Sequence, residues 1–127
     1  NNYTYQSPEK CLEQHILEPF LTFHKIKFIR GFLVFFSKFR REIDYYLPNN
    51  ILLELKVPDS VYGDFKINND VQKLKDVFFL NKFKGKIGIA TDFFNEWIFI
   101  TKENKIKLNF RKDYYKIIFL LRNFKYF

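Results

Sequence analysis

The stretch from Arg40 to Pro58 constrains this chain more than any other. Two runs of alternating side chains flank Pro48-Asn49-Asn50, a turn signal, and together they predict a β-hairpin. With those three residues as the loop, Asp44 lies across from Glu54, with Cβ atoms roughly 5 Å apart. Ile43 then faces Leu55, Tyr45 faces Leu53 and Leu47 faces Ile51, an apolar or aromatic set throughout. A slip of one residue would turn Glu54 and Lys56 into the core, which is costly for unpaired charges, so a single register satisfies both faces. Glu54 and Lys56 share a face, about 7 Å apart along the strand. Two carboxylates at the Asp44–Glu54 separation can share a divalent cation. A lysine two residues on can then touch whatever that cation activates.

An acidic residue on one strand followed by Glu-x-Lys on the next resembles the PD-(D/E)XK, or restriction-endonuclease-like, nucleases. Here the motif is Asp44, then Glu54-Leu55-Lys56. A second occurrence, Asp92 with Glu103-Asn104-Lys105, fails on context, because Thr101 to Lys105 is a polar run that reads as a turn. Downstream, Val71-Gln72-Lys73-Leu74-Lys75-Asp76-Val77-Phe78 is followed by Gly88-Ile89-Ala90-Thr91-Asp92 and then Glu96-Trp97-Ile98-Phe99. That order is similar to the nuclease region of type I restriction enzyme motor subunits, over roughly residues 40 to 100. The helix carries Val77 and Phe78 where that family often has a tyrosine.

The resemblance implies hydrolysis of DNA phosphodiester bonds with Mg²⁺, for which Mn²⁺ substitutes. Asp44, Glu54 and the backbone carbonyl of Leu55 would hold the ion, and Lys56 would orient or help deprotonate the attacking water. Gln72 takes an accessory place. In relatives a further carboxylate can come from the first helix. Glu13 is the candidate, with Glu9 and Glu18 as alternatives, and Glu42 shares the face of Asp44 and could meet Lys56 across the hairpin.

Composition sets limits on function. The net charge of +8 suits a polyanionic partner, DNA first and RNA as the alternative. Lys38, Arg40, Arg41, Lys82, Lys84 and Lys86 are the candidate nucleic-acid contacts. The plainer reading of this charge is solvated surface in a lysine-rich chain. Four glycines leave no phosphate-cradling loop, and no Cys/His zinc spacing or serine nucleophile motif occurs. His15 and His24 are too poorly accompanied to be metal ligands. No apolar run nears the ~20 residues of a membrane span. The lone Cys11 excludes an internal disulfide and suits a reducing cytoplasm, or a host cytoplasm for a viral protein. The chain starts at Asn1 rather than methionine, which suits a trimmed domain, and a homodimer or a larger restriction or viral assembly is the expected setting.

The expected architecture is one α/β domain over residues 1–127, with an αβββαβ core, a mixed sheet flanked by helices, and further C-terminal strands and a helix. Ser7 and Pro8 signal a helix start, with Leu12, Ile16, Phe20 and Phe23 at near-helical spacing. Strands follow at Ile26–Phe36, Arg40–Leu47 and Ile51–Val57, then a helix from Asn68 or Asn69 to about Lys82. Lys86–Thr91, Glu96–Ile100 and Ile106–Phe110 read as strands. A last helix over about Lys112–Tyr126 is expected to pack Tyr115, Ile118, Phe119 and Arg122 along one face, and Trp97 reads as core. The alternatives to a nuclease of this type are three. One is a non-catalytic nucleic-acid-binding or assembly module, and another a small dimeric junction-resolving endonuclease. The third is an interaction protein that dimerises through its aromatic C-terminal helix or the late hairpin. Asp44, Glu54 and Lys56 would otherwise be a cross-strand salt bridge worth under about 1 kcal/mol.

Overall fold

A computed structural model describes residues 7–36, 39–48, 51–57, 72–74, 87–101 and 104–123. Helix α1 (Pro8–Leu12) starts as its sequence predicts: the Ser7 hydroxyl accepts the Lys10 N–H at 3.2 Å and proline occupies the first turn. A single π-helical turn, Glu13–Leu17, then leads into α2 (Glu18–Phe23). This turn corrects the expected helix face. The extra residue moves the inward stripe from Leu12 to Leu17 and Leu21, leaving Ile16 and Phe20 at its margin and Phe23 78% exposed.

α2 closes with Lys25 in the left-handed region (φ 59°), the Lys25 N–H on the Thr22 carbonyl and the Ile26 N–H on the Leu21 carbonyl. That is the Schellman pattern, and Ile26 is buried beside Leu21 as its hydrophobic partner. Ile26 therefore belongs to the helix end, and β1 begins three residues later than expected.

Six strands form one sheet in chain order: β1 (Ile29–Phe36), β2 (Phe39–Leu47), β3 (Ile51–Leu55), β4 (Ile87–Thr91), β5 (Glu96–Ile100) and β6 (Lys105–Asn109). All neighbours are antiparallel except β3 and β4, which run parallel. The fold is thus mixed α+β with a mostly antiparallel sheet. The hairpin register is the expected one at Tyr45–Leu53 and Leu47–Ile51, but the expected Ile43–Leu55 pair does not form: the strands part after Tyr45, and Ile43 packs with Leu52 on the face opposite Leu55. β3 stops at Leu55 rather than Val57.

Helices cover both faces. On one, Leu12, Leu17 and Leu21 join Ile117, Leu120 and Leu121 of α3 (Tyr114–Arg122) over Tyr45, Leu53, Leu55, Ile89, Trp97 and Phe99. On the other, Leu74, from the helical residues 72–74, packs with Ile43, Leu52, Ala90, Ile98 and Ile100. The rest of the expected Asn68–Lys82 helix lies outside the described residues.

α3 starts at Tyr114 because Asn109 holds the preceding turn, its side-chain oxygen taking the N–H groups of Arg111 and Lys112. Its inward residues are Ile117, Ile118, Leu120 and Leu121, while Tyr115 is 85% exposed, Phe119 half exposed and Arg122 exposed. Of the expected face Ile118 is buried, while Tyr115, Phe119 and Arg122 lie outside it. Branched aliphatics fill the narrow space against the sheet, and the larger rings are left outside. Arg122 instead donates to the His24 carbonyl, and the His24 ring bonds the Tyr114 hydroxyl at 2.9 Å.

Candidate active site

The site forms where β2 and β3 part. Their main-chain pairing ends at Tyr45–Leu53, while β3 continues along β4 through Leu55–Thr91 and β2 continues along β1. The β1–β2 ladder skips the position where Gly31 and Asp44 meet. Gly31 has φ +61°, and a Cβ there would lie 2.9 Å from Glu42 Oε1, so glycine suits both the backbone and the approach. Two side chains bind the main chain across the opening. Glu54 Oε1 accepts the Asp44 N–H at 3.1 Å, and Asp44 Oδ2 accepts the Leu55 N–H at 2.8 Å. Asp44 and Glu54 thus come together as expected, but through side-chain bonds to the main chain rather than as a ladder pair.

The first helix supplies more acid to this opening. Glu9 and Glu13 stand one turn apart, and an oxygen of each lies within 4.8 Å of the other and of an Asp44 oxygen. Glu13, at the start of the π turn, is 5% exposed and pairs with Lys10 at 3.2 Å. Of the three helix carboxylates considered from sequence, Glu9 and Glu13 both face Asp44. Glu18 does not. It is buried elsewhere, accepting the Tyr45 hydroxyl at 2.6 Å and pairing with Arg30 at 2.8 Å. Burial and that acceptor hold the Tyr45 phenol protonated far above its usual range.

Crowding and burial raise the acids together. Glu54, 3% exposed, is pushed up to about 8, first by burial and then by Asp44, against the opposing pull of Lys73. Burial also raises Asp44, partly offset by the Leu55 N–H and Lys73. Glu13 rises through burial despite Lys10.

The cation on Glu54 is not the expected one. Lys73 Nζ lies 3.1 Å from Glu54 Oε1 and also donates to the Glu42 carbonyl at 2.9 Å. Lys56 makes no ion pair with Asp44, Glu54 or Glu42. Beyond the strand end, its N–H donates to the Thr91 carbonyl. The predicted Glu42–Lys56 contact is therefore replaced by Lys73 on the Glu42 backbone. Sequence offered no reason to single out Lys73 in a lysine-rich stretch; the burial of the adjacent Leu74 in the sheet cluster sets Lys73 over Glu54.

Gln72 is exposed next to Lys73, and Arg40 is exposed on β2. Arg41 pairs with Val34 through the backbone, and Lys38, Lys82, Lys84 and Lys86 lie outside the described residues. The Gly88–Asp92 motif is structural. Thr91 and Asp92 are buried, Asp92 accepts the Asn95 and Glu96 N–H groups, and Trp97 Nε1 donates to the Phe93 carbonyl. Of the second Asp/Glu-x-Lys occurrence, Glu103 lies outside the described residues; Thr101 and Asn104 bond each other between β5 and β6, and Lys105, expected in the turn, opens β6. Among the described residues no helix is long and apolar enough to cross a membrane. No family model, curated protein or solved structure matches the chain.

Proposed function

We propose that the chain is a Mg²⁺-dependent nuclease of the PD-(D/E)XK type that cuts DNA at the opening between β2 and β3. The observation that carries this reading is the gathering of Glu9, Glu13 and Asp44, with oxygens within 4.8 Å of one another, at the strand fork that also holds Glu54. The strand order supports it too: a three-stranded antiparallel meander, then helical residues on the far face, then a strand parallel to β3.

The donor set fits a hard divalent cation. Carboxylate oxygens are what Mg²⁺ and Mn²⁺ prefer. Buried carboxylates whose proton affinity has risen are poorly compensated as they stand, and a divalent charge would offset that cost. Asp44, Glu13 and Glu9 would hold the ion, with Glu54 Oε2 and the Leu55 carbonyl at the rim. The ion supplies positive charge to the scissile phosphate and a more acidic bound water.

The chain's own groups do the remaining work. Asp44 is held at its Oδ2 by the Leu55 N–H, which fixes its orientation before any ligand arrives. Glu54 is fixed at Oε1 by Asp44 and Lys73, so Oε2 is the oxygen it can present to a proton on the attacking water. A site lysine balances the charge that builds on the phosphate oxygens.

The test is nicking of supercoiled plasmid with Mg²⁺ or Mn²⁺ against EDTA, comparing wild type with Asp44→Asn and Glu13→Gln. Metal-dependent nicking lost in Asp44→Asn is the expected result. Salt-sensitive DNA binding without cutting would favour a binding module, and cutting that survives Asp44→Asn would move the site elsewhere.

A further inference from the structure

We infer that Lys73, not Lys56, is the ammonium group that meets the scissile phosphate, an inference that rests on the nuclease reading above. The motif needs a cation in contact with its second acid, and the chain meets that need from a different element. Lys73 Nζ spans the fork, touching Glu54 on β3 at 3.1 Å and the Glu42 carbonyl on β2 at 2.9 Å. Asp44 lies between those two anchor points in the chain and feels the charge of Lys73.

Two acceptors hold the ammonium, which has three donors, so one N–H remains for a ligand. The side chain is 24% exposed, enough for a phosphate to reach it from solvent. Its backbone is anchored, because the adjacent Leu74 is fully buried against Ile43, Leu52 and Ala90. A flexible lysine stem is thereby held in place before substrate binds, as electrostatic catalysis requires. Glu9 and Glu13 belong to the helix packed on one face of the sheet, and Lys73 to the helical residues on the other. A phosphate at the fork would thus meet acid-bound metal on one side and an ammonium on the other. Lys56 is anchored only through its backbone, its N–H on the Thr91 carbonyl, and its ammonium pairs with no carboxylate of the site.

The experiment compares wild type, Lys73→Met, Lys73→Gln, Lys73→Arg and Lys56→Met. Each variant is first checked for folding by circular dichroism and melting. Plasmid cutting is then measured in Mg²⁺. DNA affinity is measured in Ca²⁺, an ion chosen to block cutting, over a series of salt concentrations. The expected loss of cutting for Lys73→Met is on the order of 100-fold, with Lys73→Arg partly rescued and Lys56→Met within about threefold of wild type. The slope of log affinity against log salt should fall by about one for Lys73→Met and stay at the wild-type value for Lys73→Arg. Lys73→Gln gives the same readouts if Lys73→Met does not fold.

A Lys73→Met or Lys73→Gln protein that cuts like wild type while Lys56→Met is dead overturns the inference and leaves the nuclease reading standing. Binding without cutting in wild type sinks the nuclease reading, and the salt slope then judges Lys73 alone, an unchanged slope counting against it. A wild type that neither cuts nor binds DNA overturns both.

Discussion

Replacing Glu54 with glutamine should make the metal-free protein more stable, increasingly so as pH rises. The side chain is 3% exposed, and burial with the neighbouring Asp44 charge raises its pKa from the ordinary glutamate range to about 8. Between those two values the native state holds a proton that the unfolded chain has released. Stability therefore falls as pH rises, by about 1.4 kcal/mol per pH unit for one proton, and levels off above pH 8. Over three pH units the difference from Glu54→Gln reaches roughly 4 kcal/mol, an upper figure because Lys73 can shift to follow the charge. Glutamine keeps an acceptor for the Asp44 N–H and for Lys73, so the comparison isolates the charge. The assay is urea unfolding of both proteins in EDTA from pH 5.5 to 8.5, analysed as the difference between their unfolding free energies. Asp44 and Glu13 are raised in the same direction, but both remain in the variant. Adding Mg²⁺ should flatten the wild-type slope, because it binds the ionised form. Parallel profiles in EDTA would refute the reasoning and mean that Glu54 is ionised in the native state at every pH tested.

Three further outcomes test the frame around the site. Asp92→Ala removes a buried carboxylate that caps the β4–β5 turn, and should cost about 2–3 kcal/mol in urea unfolding while leaving metal-dependent cutting per folded molecule unchanged. Gly31→Ala meets φ +61° and a 2.9 Å approach to Glu42 Oε1. The glutamate is exposed and can move, so the backbone conformation dominates, and a loss of about 1–2 kcal/mol should appear as a lower melting temperature. Tyr45→Phe strips Glu18 of a 2.6 Å hydrogen bond while leaving its ion pair with Arg30, and should cost about 1–3 kcal/mol; a neutral result by chemical denaturation would mean that water replaces the hydroxyl.

Much of the hairpin was legible in the sequence for a local reason. Side chains alternate with a period of two, so the positions of Tyr45, Leu47, Ile51 and Leu53 admit one register, and that register brings Asp44 near Glu54; the alternation breaks beyond Tyr45, where Ile43 turns to the opposite face from Leu55. The Thr101–Asn104 bonds and the Ser7 cap were legible because their signals act within three or four residues. The π turn was not. No single residue in Glu13–Leu17 announces it, and it follows from fitting Leu12, Leu17 and Leu21 together onto the sheet. Its consequence reaches the site, since the same turn starts at Glu13 and separates Glu9 and Glu13 from Glu18. The face of α3 was missed because helix periodicity allows adjacent stripes, and packing against the sheet selects the aliphatic one.

The amino-acid sequence by itself determined the strands, the pairing of the two acidic strands and the presence of carboxylates in reach of one another. Short-range alternation and turn chemistry are written residue by residue, although the expectation that this register keeps Glu54 out of the core fails, since both faces of β3 are buried. Tertiary structure alone decided which helix acids join Asp44 and which lysine joins Glu54. Those choices depend on how separate elements seat against a shared sheet, and a displacement of one helical position turns a side chain by about 100°. Glu9, Glu13 and Lys73 reach the fork because Leu12, Leu17 and Leu74 are buried where they are.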